Sequence, residues 1–230
     1  MWRNCGIAAI MLGIFSQSGA ADLTIRLSNA SGASLADAVV FAAETAASAS
    51  AAKKRESIVQ RERVFAPFVT VVETGTSISF PNEDPMLHHV YSFSPAKRFE
   101  IRLYKGTPSV PVVFDKSGVV ALGCNVHDWM LAYVVVVDTP FFAKSGKDGV
   151  ARLALPAGTH QLMVWYPGMR EPARLQSVSL AAAETRAIDH RLPVNIRTQP
   201  KALPLDPMRY SRLTGRPSIA GPDLCVAPQS

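Results

Sequence analysis

Short apolar runs, alternating with polar positions or bounded by turn residues, recur along this chain. Leu23 to Leu27 alternates apolar with polar, the period-2 signature of a half-buried strand. Asp37 to Phe41 is a second short run, rich in Val and Ala. Val64 to Val72 and Ser77 to Phe80 flank the turn Glu73-Thr74-Gly75-Thr76 and read as a pair of strands. Val90 to Phe93, Phe99 to Tyr104, Val110 to Phe114, Val119 to Leu122 and Leu131 to Val137 follow, each bounded by Gly, Pro, Asp or Ser on at least one side. Thr139-Pro140 interrupts the pattern. A second set then begins: Ala151 to Leu155, His160 to Tyr166, Ala173 to Leu180 and Thr185 to His190. Many β-branched and aromatic runs joined by turns predict an all-β chain built as β-sandwiches.

This punctuation divides the chain. In residues 1–20, Arg3 precedes an apolar stretch from Gly6 to Phe15 and a small-residue site at Ser18-Gly19-Ala20, which reads as a cleaved secretory signal and implies a periplasmic protein. That stretch is too short for a membrane span, which needs roughly 20 residues, and no later run qualifies. Residues 21–138 form a first β unit, with an Ala/Ser/Lys-rich insertion at 44–58. Residues 139–193 form a smaller second unit, and 194–230 a Pro-rich flexible tail. Gly32 to Phe41 would suit either unit, so the assignment of the N-terminal strands is open.

Composition narrows the function. With 48% hydrophobic residues, 230 positions suffice for one or two cores. The formal charge of +6 falls to +5 once Arg3 leaves with the signal. That excess is modest, and no basic helix or aromatic-interleaved basic stripe accompanies it, which argues against a nucleic-acid partner. G-x-S-x-G, H-E-x-x-H and glycine-rich phosphate loops are absent from the sequence, and its acids are scattered. The chain is therefore expected not to be an enzyme.

One segment concentrates chemistry. Cys124-Asn125-Val126-His127-Asp128-Trp129-Met130 carries a thiol, an imidazole and a thioether on seven residues, spaced C-x-x-H-x-x-M. Upstream, Asn82-Glu83-Asp84-Pro85-Met86-Leu87-His88-His89-Val90 supplies another imidazole. Two His, one Cys and one Met make the ligand set of a blue-copper electron-transfer site. Zinc would use the Met poorly. The rival is a disulfide, because a secreted chain that keeps Cys124 and Cys225 usually pairs them. Five histidines in all leave too few for a second copper cluster.

At these motifs the chain resembles the cupredoxins, small blue-copper proteins. It looks closest to the amicyanin and plastocyanin branch and to cupredoxin-like proteins associated with methylamine utilization. The resemblance rests on Phe80-Pro81-Asn82-Glu83-Asp84 leading to His88-His89-Val90, and on Gly123 to Met130. It covers residues 60 to 138 well and 21 to 60 loosely. It implies a Greek-key sandwich and one type 1 copper held by His88, Cys124, His127 and Met130. His89 stands where Asn is usual, so either neighbouring histidine could bind, with His88 favoured by its six-residue distance from Asn82. Asp128 follows the ligand His where Pro is common. Pro85, Met86, Leu87 and Trp129 would form an apolar patch around an exposed His127, or shield the copper from water. Asp148-Gly149 to Gln161-Leu162 resembles the carboxypeptidase-regulatory, transthyretin-like sandwich, a module that typically has no catalytic role. The resemblance implies a carrier of single electrons between redox proteins. A non-catalytic binding or assembly module, and a copper storage or delivery protein, are the alternatives.

Overall fold

A computed structural model of the chain describes residues 19–43 and 54–202, and every regular element among them is a β-strand. Two strands precede the first gap, β1 (Ala21–Asn29) and β2 (Val39–Ala42). Ten follow it: β3 (Arg55–Ser57), β4 (Val59–Arg61), β5 (Val64–Ala66), β6 (Val69–Glu73), β7 (Thr76–Ser79), β8 (His88–Ser94), β9 (Lys97–Tyr104), β10 (Val112–Phe114), β11 (Gly118–Gly123) and β12 (Leu131–Val137). Five complete the described chain: β13 (Phe142–Lys144), β14 (Val150–Leu155), β15 (Gly158–Trp165), β16 (Ala173–Leu180) and β17 (Thr185–Leu192).

These strands build two sandwiches. The first sets the sheet β10-β7-β3 against β6-β12-β11-β8-β9, with the small β4-β5 hairpin beside them. Its core includes Phe65, Ile78, Phe80, Val90, Phe114 and Leu122. The second combines β14-β1-β17 with β13-β2-β15-β16, around Leu23, Ile25, Leu153, Leu162, Val164 and Tyr166.

The two meet face to face. β12 sends Ala132, Val134 and Val136 into the first core, while Val135 and Val137 point the other way, onto Val39 and Trp165 of the second. Burial on both faces explains why Leu131 to Val137 reads as an unbroken apolar run rather than an alternating one. β2 behaves alike: Val40 and Ala42 enter one core and Val39 the interface. Trp165 is fully buried there, its Nε1 donating to the Met169 carbonyl at 2.9 Å and its ring 5.1 Å from that of Tyr133.

Several sequence expectations change. The sequence groups residues 21–43 with the first unit, but β1 pairs antiparallel with β14 and parallel with β17, and β2 lies between β13 and β15. Their ladders thus belong to the second sandwich. Residues 22–29 beside 185–192 are a long-range pairing that local periodicity cannot reveal. The runs from Val64 and from Ser77 are not partners: β6 runs beside β12, whereas β7 lies between β10 and β3 in the facing sheet. Pro67, which has no N–H for a ladder, splits the first run into β5 and β6. Part of the expected insertion, Arg55–Ser57, is a sheet strand parallel to β7, and 44–53 lie outside the described residues. The secretory signal, up to residue 18, and residues 203–230 of the tail also lie outside them. Residues 194–202, expected to be flexible, are tied down. The Arg197 N–H donates to the Tyr166 hydroxyl at 2.9 Å, and Gln199 Nε2 donates to the Phe65 carbonyl, so this stretch crosses from the second sandwich to the first.

Trp165→Ala is expected to cost about 3–5 kcal/mol, the range for truncating a buried aromatic. Urea unfolding checks it, and an unchanged midpoint would mean that the interface contributes little to stability.

Candidate metal centre

The centre lies where two neighbouring strands end. β8 and β11 are antiparallel, with Gly123 opposite Tyr91. His88 opens β8, and Cys124 leaves β11 into the loop that returns as β12. The approach is tight: a Cβ on Gly123 would lie 2.7 Å from the Tyr91 ring, so with any other residue there the ring would have to shift. The Met130 N–H donates to the His127 carbonyl at 3.0 Å and closes the loop.

His88, Cys124 and His127 converge. Their donor atoms all lie within 4.8 Å of one another, and all three residues are buried. His88 Nδ1 is 4.0 Å from Cys124 Sγ. Its Nε2 faces away, 2.7 Å from Asp84 Oδ2. The imidazoles of His88 and His127 have centroids 5.0 Å apart. His127 Nδ1 is buried without a hydrogen-bond partner. Such an atom is costly unless something else satisfies it, and a metal between the three donors would. With metal bonds of about 2.0 Å to nitrogen and 2.3 Å to sulfur, trigonal donors sit about 3.7 Å apart. The observed trio is slightly wider, so a small contraction suffices.

Met130 is buried in the same apolar cluster as Cys124 and lines the same hollow, with Tyr91, Trp129 and Pro200. His89 takes no part in the trio. Its Nε2 lies 2.9 Å from Glu100 Oε1, and its ring packs on Tyr91. Of the two adjacent histidines, it is His88 whose donor atom stands with those of Cys124 and His127. Asp128 is exposed. Cys124 is a free thiol, and Cys225 lies outside the described residues. His160, away from the trio, is buried with Nε2 2.8 Å from the Pro156 carbonyl.

One expectation fails: the resemblance implies an exposed His127, but it is only 6% exposed. The half-buried Trp129 ring lies 5.0 Å from its own, and Trp129 Nε1 donates to the Arg63 carbonyl at 3.0 Å. Sequence reasoning misses Asp84 and Arg63 as participants. Asp84 has a faint signal, a carboxylate four residues before His88; Arg63 acts through its backbone, to which composition is blind.

The electrostatics favour a thiolate. Burial opposes ionisation of Cys124, but the facing imidazoles of His127 and His88 and the backbone N–H groups of His89 and Val126 outweigh it and bring the thiol from 9.0 down to about 5. Burial likewise opposes protonation of His88, yet its contacts with Cys124 and Asp84 prevail and raise it. A soft thiolate and two imidazoles suit copper.

No family model and no curated protein matches the chain. Among solved structures, the purple cupredoxin of Nitrosopumilus maritimus is similar at 20% identity and a TM-score of 0.32, over 36% of this chain and 99% of that one. A proline-to-glycine variant of amicyanin, in its reduced Cu(I) form, aligns at 18% identity and 0.34, over 44% and 99%. The copper-containing nitrite reductase of Thermus scotoductus aligns at 18% and 0.35, over 43% of this chain and 25% of that one.

In the metal-free protein, ultraviolet thiolate absorption should develop with a midpoint near pH 5 and be missing from Cys124→Ser. The stabilisation this thiolate contributes is complete above 9.0 and is lost as pH falls through about 5, because the folded state holds the proton less tightly than the unfolded chain. A midpoint near 9.0 would show that the imidazoles do not support the thiolate.

Proposed function

We propose that this protein is a type 1 copper protein that carries single electrons. The observation that carries the reading is a buried Cys124 sulfur facing two buried imidazoles, with His127 Nδ1 left without a hydrogen-bond partner. Copper, when bound, would supply a one-electron couple between Cu(I) and Cu(II). His88 would bind through Nδ1, because Asp84 occupies Nε2. Cys124 Sγ would be the strong, soft donor, its charge spread by the N–H groups of His89 and Val126. His127 would supply the second imidazole, and Met130, buried beside Cys124, a weak thioether donor.

His88, Cys124 and Met130 stand at strand ends, His127 lies in the loop between β11 and β12, and all four are buried. Little would have to move when the metal's charge changes, which is what fast electron exchange requires. With its donors supplied by buried protein side chains, the site would suit electron transfer rather than turnover of a substrate. We place the protein in the periplasm, on the strength of the leader-like residues 1–20, and assign it redox proteins as partners.

Cu(II) added to the metal-free protein should develop an intense visible thiolate-to-copper band and a reversible one-electron wave in voltammetry. Cys124→Ala should remove the band while the β-sheet circular dichroism is retained. A folded protein that takes up Cu(II) and stays colourless would overturn the reading; a coloured adduct with no reversible wave would point to storage or delivery of copper.

A further inference from the structure

We propose that Asp84 is the positioning residue of this centre: clamped by the turn of the β4–β5 hairpin, its carboxylate fixes His88 for binding through Nδ1 and biases the site toward Cu(II). The inference rests on the copper reading above.

The clamp is built from backbone. Between β4 and β5 the chain turns on Glu62 and Arg63, with φ of 54° and 58°. Positive φ at both central residues defines the hairpin turn whose twist matches its strands, and Gly or Asn normally occupies it. Here a Glu and an Arg adopt it. Strained backbone of this kind persists only where the surroundings over-determine it. Those surroundings are Asp84: the Glu62 N–H donates to Oδ1 at 2.7 Å and the Arg63 N–H to Oδ2 at 2.9 Å. The same Oδ2 lies 2.7 Å from His88 Nε2.

Asp84 is fixed from its own side as well. Its N–H donates to Asn82 Oδ1 at 3.0 Å, and Asn82 Nδ2 donates to the carbonyls of Met86 and Tyr104. The loop leading to His88 is therefore rigid about this carboxylate. The Gln60 N–H donates to the Pro81 carbonyl and the Glu83 N–H to that of Gln60, which fastens the hairpin to the loop. An Arg61–Glu83 ion pair lies beside them.

The turn also reaches the other ligand segment. The Arg63 carbonyl accepts from Trp129 Nε1 at 3.0 Å, and Trp129 packs on His127. One short stretch of backbone thus holds the His88 side of the centre by its N–H groups and the His127 side by a carbonyl.

Two consequences follow. With the carboxylate accepting from Nε2–H, Nδ1, which faces Cys124, is the nitrogen left to bind copper. A carboxylate behind the imidazole also makes it a stronger donor. Stronger donation and nearby negative charge favour the more highly charged Cu(II).

Asp84→Asn keeps the size and a carbonyl acceptor for Nε2–H but removes the charge. With wild type showing the visible band, Asp84→Asn should keep that band, show a higher reduction potential, and bind Cu(II) about 10- to 100-fold more weakly, with a smaller loss for Cu(I). A folded, coloured Asp84→Asn protein with an unchanged potential would overturn the inference and leave the copper reading standing. A colourless wild type would sink both. If Asp84→Asn does not fold, nitrogen-15 NMR of Cu(I)-loaded wild type decides instead. A slowly exchanging His88 Nε2–H with a metal-shifted Nδ1 supports the inference; binding through Nε2 overturns it.

Discussion

The structure depends on one strand being dry on both faces. β12 lies between β11 and β6, and its alternate residues enter two different cores. Val134 and Val136 complete the sandwich that holds the candidate centre, while Val135 and Val137 complete the contact with Trp165. Each buried Val contributes on the order of 1.5–3 kcal/mol relative to exposure. A strand anchored this way cannot slip by one residue, because each side chain would change core. That fixes Leu131, and with it the C-terminal end of the loop from Cys124 to Met130. The other end is fixed at Gly123, opposite Tyr91. A seven-residue loop with both ends immobile can hold a thiol and two further donors in one arrangement.

The same double burial explains how much of the fold is legible in the sequence. Most strands show as apolar runs, since periodicity and turn residues are local signals. Partners are harder to read. Nothing near Leu23 announces that it lies beside Arg186, because the parallel ladder of β1 with β17 joins opposite ends of the described chain. The short strands β4 and β13 escape notice for another reason. Val59-Gln60-Arg61 has no strong alternation, and its turn, Glu62-Arg63, contains none of the residues that normally mark a hairpin. The pair expected at Val64 and Ser77 fails because sequence adjacency is not hydrogen bonding; a turn can equally lead from one sheet to the facing one.

At the candidate centre, legibility divides between side chains and backbone. Residue type and spacing nominate His88, Cys124 and His127, and they meet. What stays invisible is what orients them. The Arg63 carbonyl, the N–H groups at 62 and 63 and the N–H groups of His89 and Val126 act whatever side chains those positions carry. Burial of His127 is hidden likewise, since the Trp129 ring that packs on it is held by that carbonyl. The centre therefore cannot be equated with its C-x-x-H-x-x-M segment. A loop of that sequence placed on another sandwich would bring the thiol, one imidazole and the thioether. It would not bring the second imidazole, the carboxylate that turns it, or the strained hairpin to which both sides of the centre are fastened.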